Sequence, residues 1–225
     1  MAGALLVSIG ALLWAHRYEF HRVGTIAMSP TAKAWNETVL DTEADGGKGI
    51  RRGDVVVVRS GDWAGDTAGL TYTVRVVAVA GDTVSCCDAQ GRLGVNGRTV
   101  DEPYAHGDTA AFGDFTVQVP TGRIFVLGDA RSISVDSRSH LKEAGGGTLP
   151  VSSVQGQLVA IAWPFQDWGS LSGPAGASRF PVYLAGFAGI VVGGLLGLVA
   201  AWPTVRGWAA WTTARLPWRH RAKAW

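Results

Sequence analysis

The sequence predicts a mainly β domain between two membrane-spanning helices, and three observations carry that reading. Between residues 19 and 172 the apolar residues alternate or run in β-branched stretches broken by Gly, Asp and Pro, with no helical stripe longer than a turn or two. Residues 182–201 form an uncharged apolar run, as long as the roughly 20 residues a helix needs to cross the bilayer core. Residues 1–15 are also uncharged and apolar. A chain of 225 residues holds one such domain with its anchors and is too short for two large domains with separate cores.

Taken in order, the first element is an N-terminal anchor over residues 1–18. At about 1.5 Å per residue, a helix over the apolar stretch reaches only about 20 Å of the roughly 30 Å required. It therefore needs residues 16–20, with His16 and Arg17 reaching toward the headgroups, or a start further upstream. A cleaved signal peptide is the competing reading, and the lack of Lys or Arg before the apolar run argues against it.

Residues 19–172 form the β-domain, with strands expected over 54–59, 71–79, 92–95, 114–119, 123–127 and 157–163. Asn96-Gly97 between apolar alternations is a strong hairpin signal. Acidic and glycine content makes 41–49 a loop, and Gly145-Gly146-Gly147 does the same for 140–148. Cys86 and Cys87 are neighbours, so neither has a distant partner in the chain. A vicinal disulfide, an intermolecular bridge and two free thiols all remain open. The spacing suits no metal and no cofactor is called for.

The second span is bounded at 181–202, followed by a basic Trp/Arg-rich tail at 203–225. Arg206, Arg215, Arg219, Arg221 and Lys223 lie beyond the span, whereas only Arg179 lies close before it, which places the tail in the cytoplasm and the β-domain outside. Arg17 and Arg22 pull weakly the other way. The tail's tryptophans and arginines suit a short helix on the lipid surface. Gly189, Gly193 and Gly197 share one helix face, which admits close approach of the first span or of a partner membrane protein. Net charge is only +2 and the basic residues form no stripe with interleaved aromatics, so nucleic acid is excluded as a partner.

Four motifs then carry the chemistry. They are Gly24-Thr25-Ile26-Ala27-Met28-Ser29-Pro30-Thr31, Arg52-Gly53-Asp54-Val55-Val56-Val57, the run from Tyr72 through Val74-Arg75-Val76 to Gly81-Asp82, and Gly128-Asp129-Ala130-Arg131-Ser132-Ile133-Ser134-Val135-Asp136-Ser137-Arg138. Their order and spacing, together with Val100-Asp101-Glu102-Pro103-Tyr104, closely resemble type I signal peptidases over residues 1–165. The resemblance implies a bacterial plasma-membrane protein connected with signal-peptide processing in secretion, with a β-domain outside the membrane. It also implies a serine nucleophile at the residue before Met28 and a lysine base before Arg75. Those positions hold Ala27 and Val74.

The family mechanism needs a hydroxyl activated by an amine kept neutral by burial, and neither is present at these positions. In a triad protease, losing nucleophile or base costs about 10⁶ in turnover. The resemblance also matches Thr25 to an oxyanion-hole hydroxyl and Ser134 to the serine that bonds the dyad lysine. Arg75, Asp129, Arg131, Asp136 and Arg138 are expected to form ion pairs that hold the loop to the strand. Ala80, Ala130 and Ile133 depart from the family pattern.

Ser29 is the one substitute nucleophile near the motif, followed by Pro30 and with no lysine nearby; His106 and His140 are the other candidate bases. Asn36-Glu37-Thr38 is a short match to a glycosylation acceptor. The reading is a catalytically silent homologue that binds signal peptides of secreted precursors, an active signal peptidase or another membrane protein. The alternatives are an active peptidase using Ser29 and a structural protein whose groove has closed.

Overall fold

The computed structural model describes residues 15–59, 61, 63, 70–109 and 113–171. Residues 1–14 of the first expected span, the whole of the second and the glycine face at Gly189, Gly193 and Gly197 lie outside these residues. Among the described residues, no helix is long and apolar enough to cross a membrane.

The fold is mainly β, as expected. Twelve strands run β1 (Tyr18–Arg22), β2 (Glu37–Asp41), β3 (Val55–Arg59), β4 (Thr71–Val79), β5 (Thr83–Cys86), β6 (Gly94–Val95), β7 (Arg98–Thr99), β8 (Phe115–Gln118), β9 (Arg123–Leu127), β10 (Leu149–Pro150), β11 (Val154–Trp163) and β12 (Gly169–Ser170). They form an 8-stranded antiparallel sheet in the order β1-β2-β11-β3-β4-β9-β10, with β12 on β11, and a 4-stranded sheet β7-β6-β5-β8.

The central strands are buried on both faces, which is why they read as near-continuous valine. On β4, Val74 and Val76 face a cluster with Val56, Val58, Trp63, Ile124, Val126 and Val154. Val77 and Ala78 belong instead to the cluster of Phe125, Leu127, Val84 and Leu93 between the sheets. A third cluster, with Val23, Met28, Ala32, Val55, Val57 and Leu158, fixes the connection between β1 and β2. Each fully buried Val or Leu contributes about 1.5–3 kcal/mol.

Two features differ from the sequence reading. Residues 18–22 are not a helical extension of the anchor: Tyr18–Arg22 pairs with Glu37–Asp41, and helix covers only residues 15–17. Thr38 is buried on that pair and Tyr18 is 9% exposed, whereas Phe20 is 66% exposed. β2, β5, β10 and β12 were not among the expected strands; each is short, from two to five residues, too few to show a period. The hairpin is as expected, with positive φ at Asn96 (53°) and Gly97 (73°).

Candidate functional site

The β1–β2 connection is pinned by Met28, which is fully buried, and by the Ala32 N–H donating to the Met28 carbonyl at 2.9 Å. This holds Ala27 beside the loop that follows β9: the Ala130 N–H donates to the Ala27 carbonyl at 2.9 Å. The Ala27 N–H in turn reaches the Thr25 hydroxyl at 3.4 Å. Across the sheet, Arg75 pairs with Leu127, the last residue of β9 before Gly128. A Cβ on Gly128 would stand 2.7 Å from the Ala27 carbonyl oxygen and collide with the Ser134 side chain. The glycine is therefore what lets Ala27 and Ser134 approach each other just past the end of β9.

Ser134 is 2% exposed, and among the described residues its hydroxyl has no hydrogen-bond partner. Val74 is 1% exposed and packed among the valines and isoleucine of its cluster. Such a slot suits an apolar side chain and strongly disfavours an unpaired ammonium.

The loop around this point is held by three buried ion pairs. Arg75 forks onto Asp129 at 2.8 and 2.6 Å, and its guanidinium also lies 3.8 Å from the Tyr104 ring centre. Arg138 bonds Asp136 at 3.0 and 2.8 Å, while Asp136 also accepts the Gly128 N–H at 3.0 Å. Arg131, fully buried, bonds Glu102 at 2.8 and 2.7 Å rather than a carboxylate of its own loop. Burial works against the Arg131 charge, but the Glu102 carboxylate outweighs it and raises its pKa. Burial, reinforced by Glu102, pushes the Tyr104 phenol well above its usual range.

The expected ion pairs at Arg75, Asp129, Asp136 and Arg138 thus form. Glu102, Thr109 and Gly128 are the structural partners that sequence reasoning missed; Glu102 and Gly128 stood in the motifs without a role, and Thr109 carried no signal.

The substitute candidates are not brought together. Ser29 is half-buried and makes no side-chain hydrogen bond among the described residues. Lys33 is bonded to Asp167 at 2.6 Å and Lys48 lies 3.5 Å from Glu43. The His106 ring is 3.1 Å from the Tyr104 carbonyl. His140 is 2.6 Å from Glu143 and stacks on Trp63 at 4.4 Å between ring centres. Asn36 is 2% exposed, accepting from the Lys33 N–H and donating to Asp167, so the glycosylation match falls on a buried side chain.

Cys86 and Cys87 are bonded to each other, which selects one of the three options left open by the sequence. They line a cavity of about 250 Å³ on the smaller sheet, away from Ala27 and Val74.

A family model described as signal peptidase, peptidase S26, matches residues 1–163. Signal peptidase I U of Bacillus subtilis (strain 168) is 28% identical over 173 residues, covering 72% of this chain and 86% of the relative. Signal peptidase I of Mycobacterium tuberculosis (strain ATCC 25618 / H37Rv) is 40% identical over 112 residues, covering 42% of this chain and 37% of the relative. The crystal structure of a signal peptidase I from Enterococcus faecalis V583 shares 27% identity at a TM-score of 0.38, covering 49% of this chain and 97% of that one. With a family match across most of its length, this chain belongs to the signal peptidase family, peptidase S26.

Proposed function

We propose that this chain is a membrane-anchored member of its family that binds the extended signal peptides of secreted precursors without cutting them. One observation carries the reading: a methyl group and an isopropyl group stand at positions 27 and 74, where the resemblance expects the dyad, while the Ser134 hydroxyl near Ala27 is buried and has no partner among the described residues. A lysine at position 74 would have an acceptor in that hydroxyl; valine leaves it orphaned. The ion pairs that shape the loop do not depend on the dyad, which supports a scaffold kept for binding. Peptide would add as a strand along the Ala27 segment, its main chain supplying the hydrogen bonds and its small side chains the fit. The apolar runs at 1–15 and 182–201 support anchoring in a bacterial plasma membrane, and the charges beyond Trp202 support an outer β-domain with a cytoplasmic tail.

The test uses the full chain in detergent with a fluorescent precursor carrying its signal peptide. Saturable binding with no cleaved product is the expected result. Product at the rate of an intact signal peptidase overturns the silent reading, and product lost on Ser29→Ala would assign that serine as nucleophile. Absence of both binding and product points to a purely structural role. Ala27→Ser with Val74→Lys tests the groove itself, since recovered cleavage requires a cleft still shaped for substrate.

A further inference from the structure

We propose that the Cys86–Cys87 disulfide is a thiol-exchange site for small, negatively charged thiols. The inference does not depend on whether the dyad is silent. A bridge between adjacent residues closes almost no chain, and the stabilisation a disulfide gives grows with the loop it closes. Its contribution to holding the fold is therefore minor, and its chemistry is what remains to be explained.

The surroundings of the bridge fit that chemistry. Cys86 and Cys87 follow β5 on the wall of the 250 Å³ cavity, together with Asp88, Arg92, Arg98 and Thr99. The Asn96-Gly97 hairpin presents Arg98, and Ser85 pairs with Gly94, which brings β6 and β7 alongside the sulfurs. Arg92 is occupied by Asp88, 2.9 Å away. Arg98 is exposed, and among the described residues it has no carboxylate or hydrogen-bond partner, so it is an unneutralised cation on the cavity wall. Cations beside a cysteine favour the thiolate and attract an anionic reactant.

The two sulfurs are unequal. Cys86 is 8% exposed and packs in the core between the sheets, whereas Cys87 is half-buried at the cavity. An external thiolate reaches the Cys87 sulfur. Its lone pair forms the new S–S bond, the Cys86–Cys87 bond breaks, and the electron pair leaves on Cys86. That sulfur takes a proton from solvent and has a ready acceptor in the Thr109 carbonyl, 3.8 Å away. A second external thiolate attacks its own kind in the mixed disulfide and releases Cys87, so two small thiols become one small disulfide and two electrons reduce the bridge. The Thr109 carbonyl also accepts from Arg138, 3.4 Å away, while the Thr109 hydroxyl accepts from Arg131, so the reduced Cys86 would share the carbonyl with Arg138 of the loop that carries Ser134.

The experiment compares 2-mercaptoethanesulfonate with cysteamine, two thiols of similar size and opposite charge, on the full chain in detergent at matched thiolate concentration. Opening is read by iodoacetamide alkylation and mass spectrometry. The sulfonate should open the bridge at least about threefold faster, the order of effect one screened charge at the cavity wall gives, and Arg98→Gln should erase that preference. The trapped adduct should sit on Cys87. Equal rates for the two thiols, a preference that survives Arg98→Gln, or alkylation only after denaturant is added would each overturn the proposal.

Discussion

Replacing Ser134 with alanine should make this protein more stable, the reverse of what deleting a buried hydrogen-bonding serine does. The side chain is 2% exposed and its hydroxyl has no partner. An unsatisfied buried polar group costs about 1–3 kcal/mol, whereas the packing lost with one oxygen atom is worth somewhat less than the ~0.8 kcal/mol of a methylene. The balance is a gain of about 1 kcal/mol. For a unit the size of Ala15–Phe180 this corresponds to a rise of roughly 2–4 °C in Tm. The assay is thermal unfolding of the full chain in detergent, followed by near-ultraviolet circular dichroism.

The same substitution made on top of Val74→Lys should have the opposite sign. There the serine would accept from an ammonium, a bond worth about 1.5–3 kcal/mol, and its removal would strand the charge. The difference between the two backgrounds isolates the pair. Destabilisation of 1 kcal/mol or more by Ser134→Ala in the unaltered protein would refute the reasoning, because it would mean the hydroxyl is satisfied in solution.

Two further outcomes follow from the charges. Asp129→Ala leaves Arg75, whose side chain is 3% exposed, without its carboxylate; the expected loss is about 3–5 kcal/mol, and a loss under 1 kcal/mol by denaturant unfolding would dismiss the pair as a determinant of the loop. Burial raises the Asp82 pKa, but the Val79 N–H, Arg52 and Asn96 together outweigh it and hold the carboxylate below its usual value. Its stabilising effect is therefore present above about pH 4 and lost as pH falls through the lower folded value, so Asp82→Asn should reduce stability at neutral pH and flatten the acid limb of a stability-versus-pH curve.

How much was legible depends on how local the cause is. The 71–79 and 123–127 strands coincide with β4 and β9 because both lie in the sheet centre, where a continuous β-branched run has no other home. The Asn96-Gly97 turn was readable because two positive φ angles demand those residue types. The option of extending the anchor through residues 16–20 fails at Tyr18–Phe20, whose apolar side chains follow the N-terminal run after His16 and Arg17; only pairing with Glu37–Asp41 separates strand from anchor. Arg131 was assigned to its own loop, but its carboxylate comes from Glu102, 29 positions away, and no spacing rule spans such a gap. The Ala27 and Val74 substitutions were visible through the motifs, whereas the orphaned Ser134 hydroxyl emerges only once Gly128 brings the three segments together.

That orphan bears on why the two dyad positions differ together. A lysine at position 74 would enter a cluster of valines, leucine and isoleucine, where its charge is tolerable only with an acceptor and useful only with a hydroxyl to deprotonate. Once position 27 is alanine, the lysine keeps its desolvation cost and loses its reaction, so valine at position 74 lowers the energy of the fold. Ser134 does not follow the same path at once. Its hydroxyl costs about as much as a single weak destabilising substitution. The buried pairs Arg75–Asp129, Arg131–Glu102 and Arg138–Asp136 are different again, because breaking any one of them strands a charge in the core. Under the proposed silent reading the scaffold is expected to outlast the chemistry, with alanine and valine at positions 27 and 74, an idle Ser134 hydroxyl, and the buried ion pairs Arg75–Asp129, Arg131–Glu102 and Arg138–Asp136 intact.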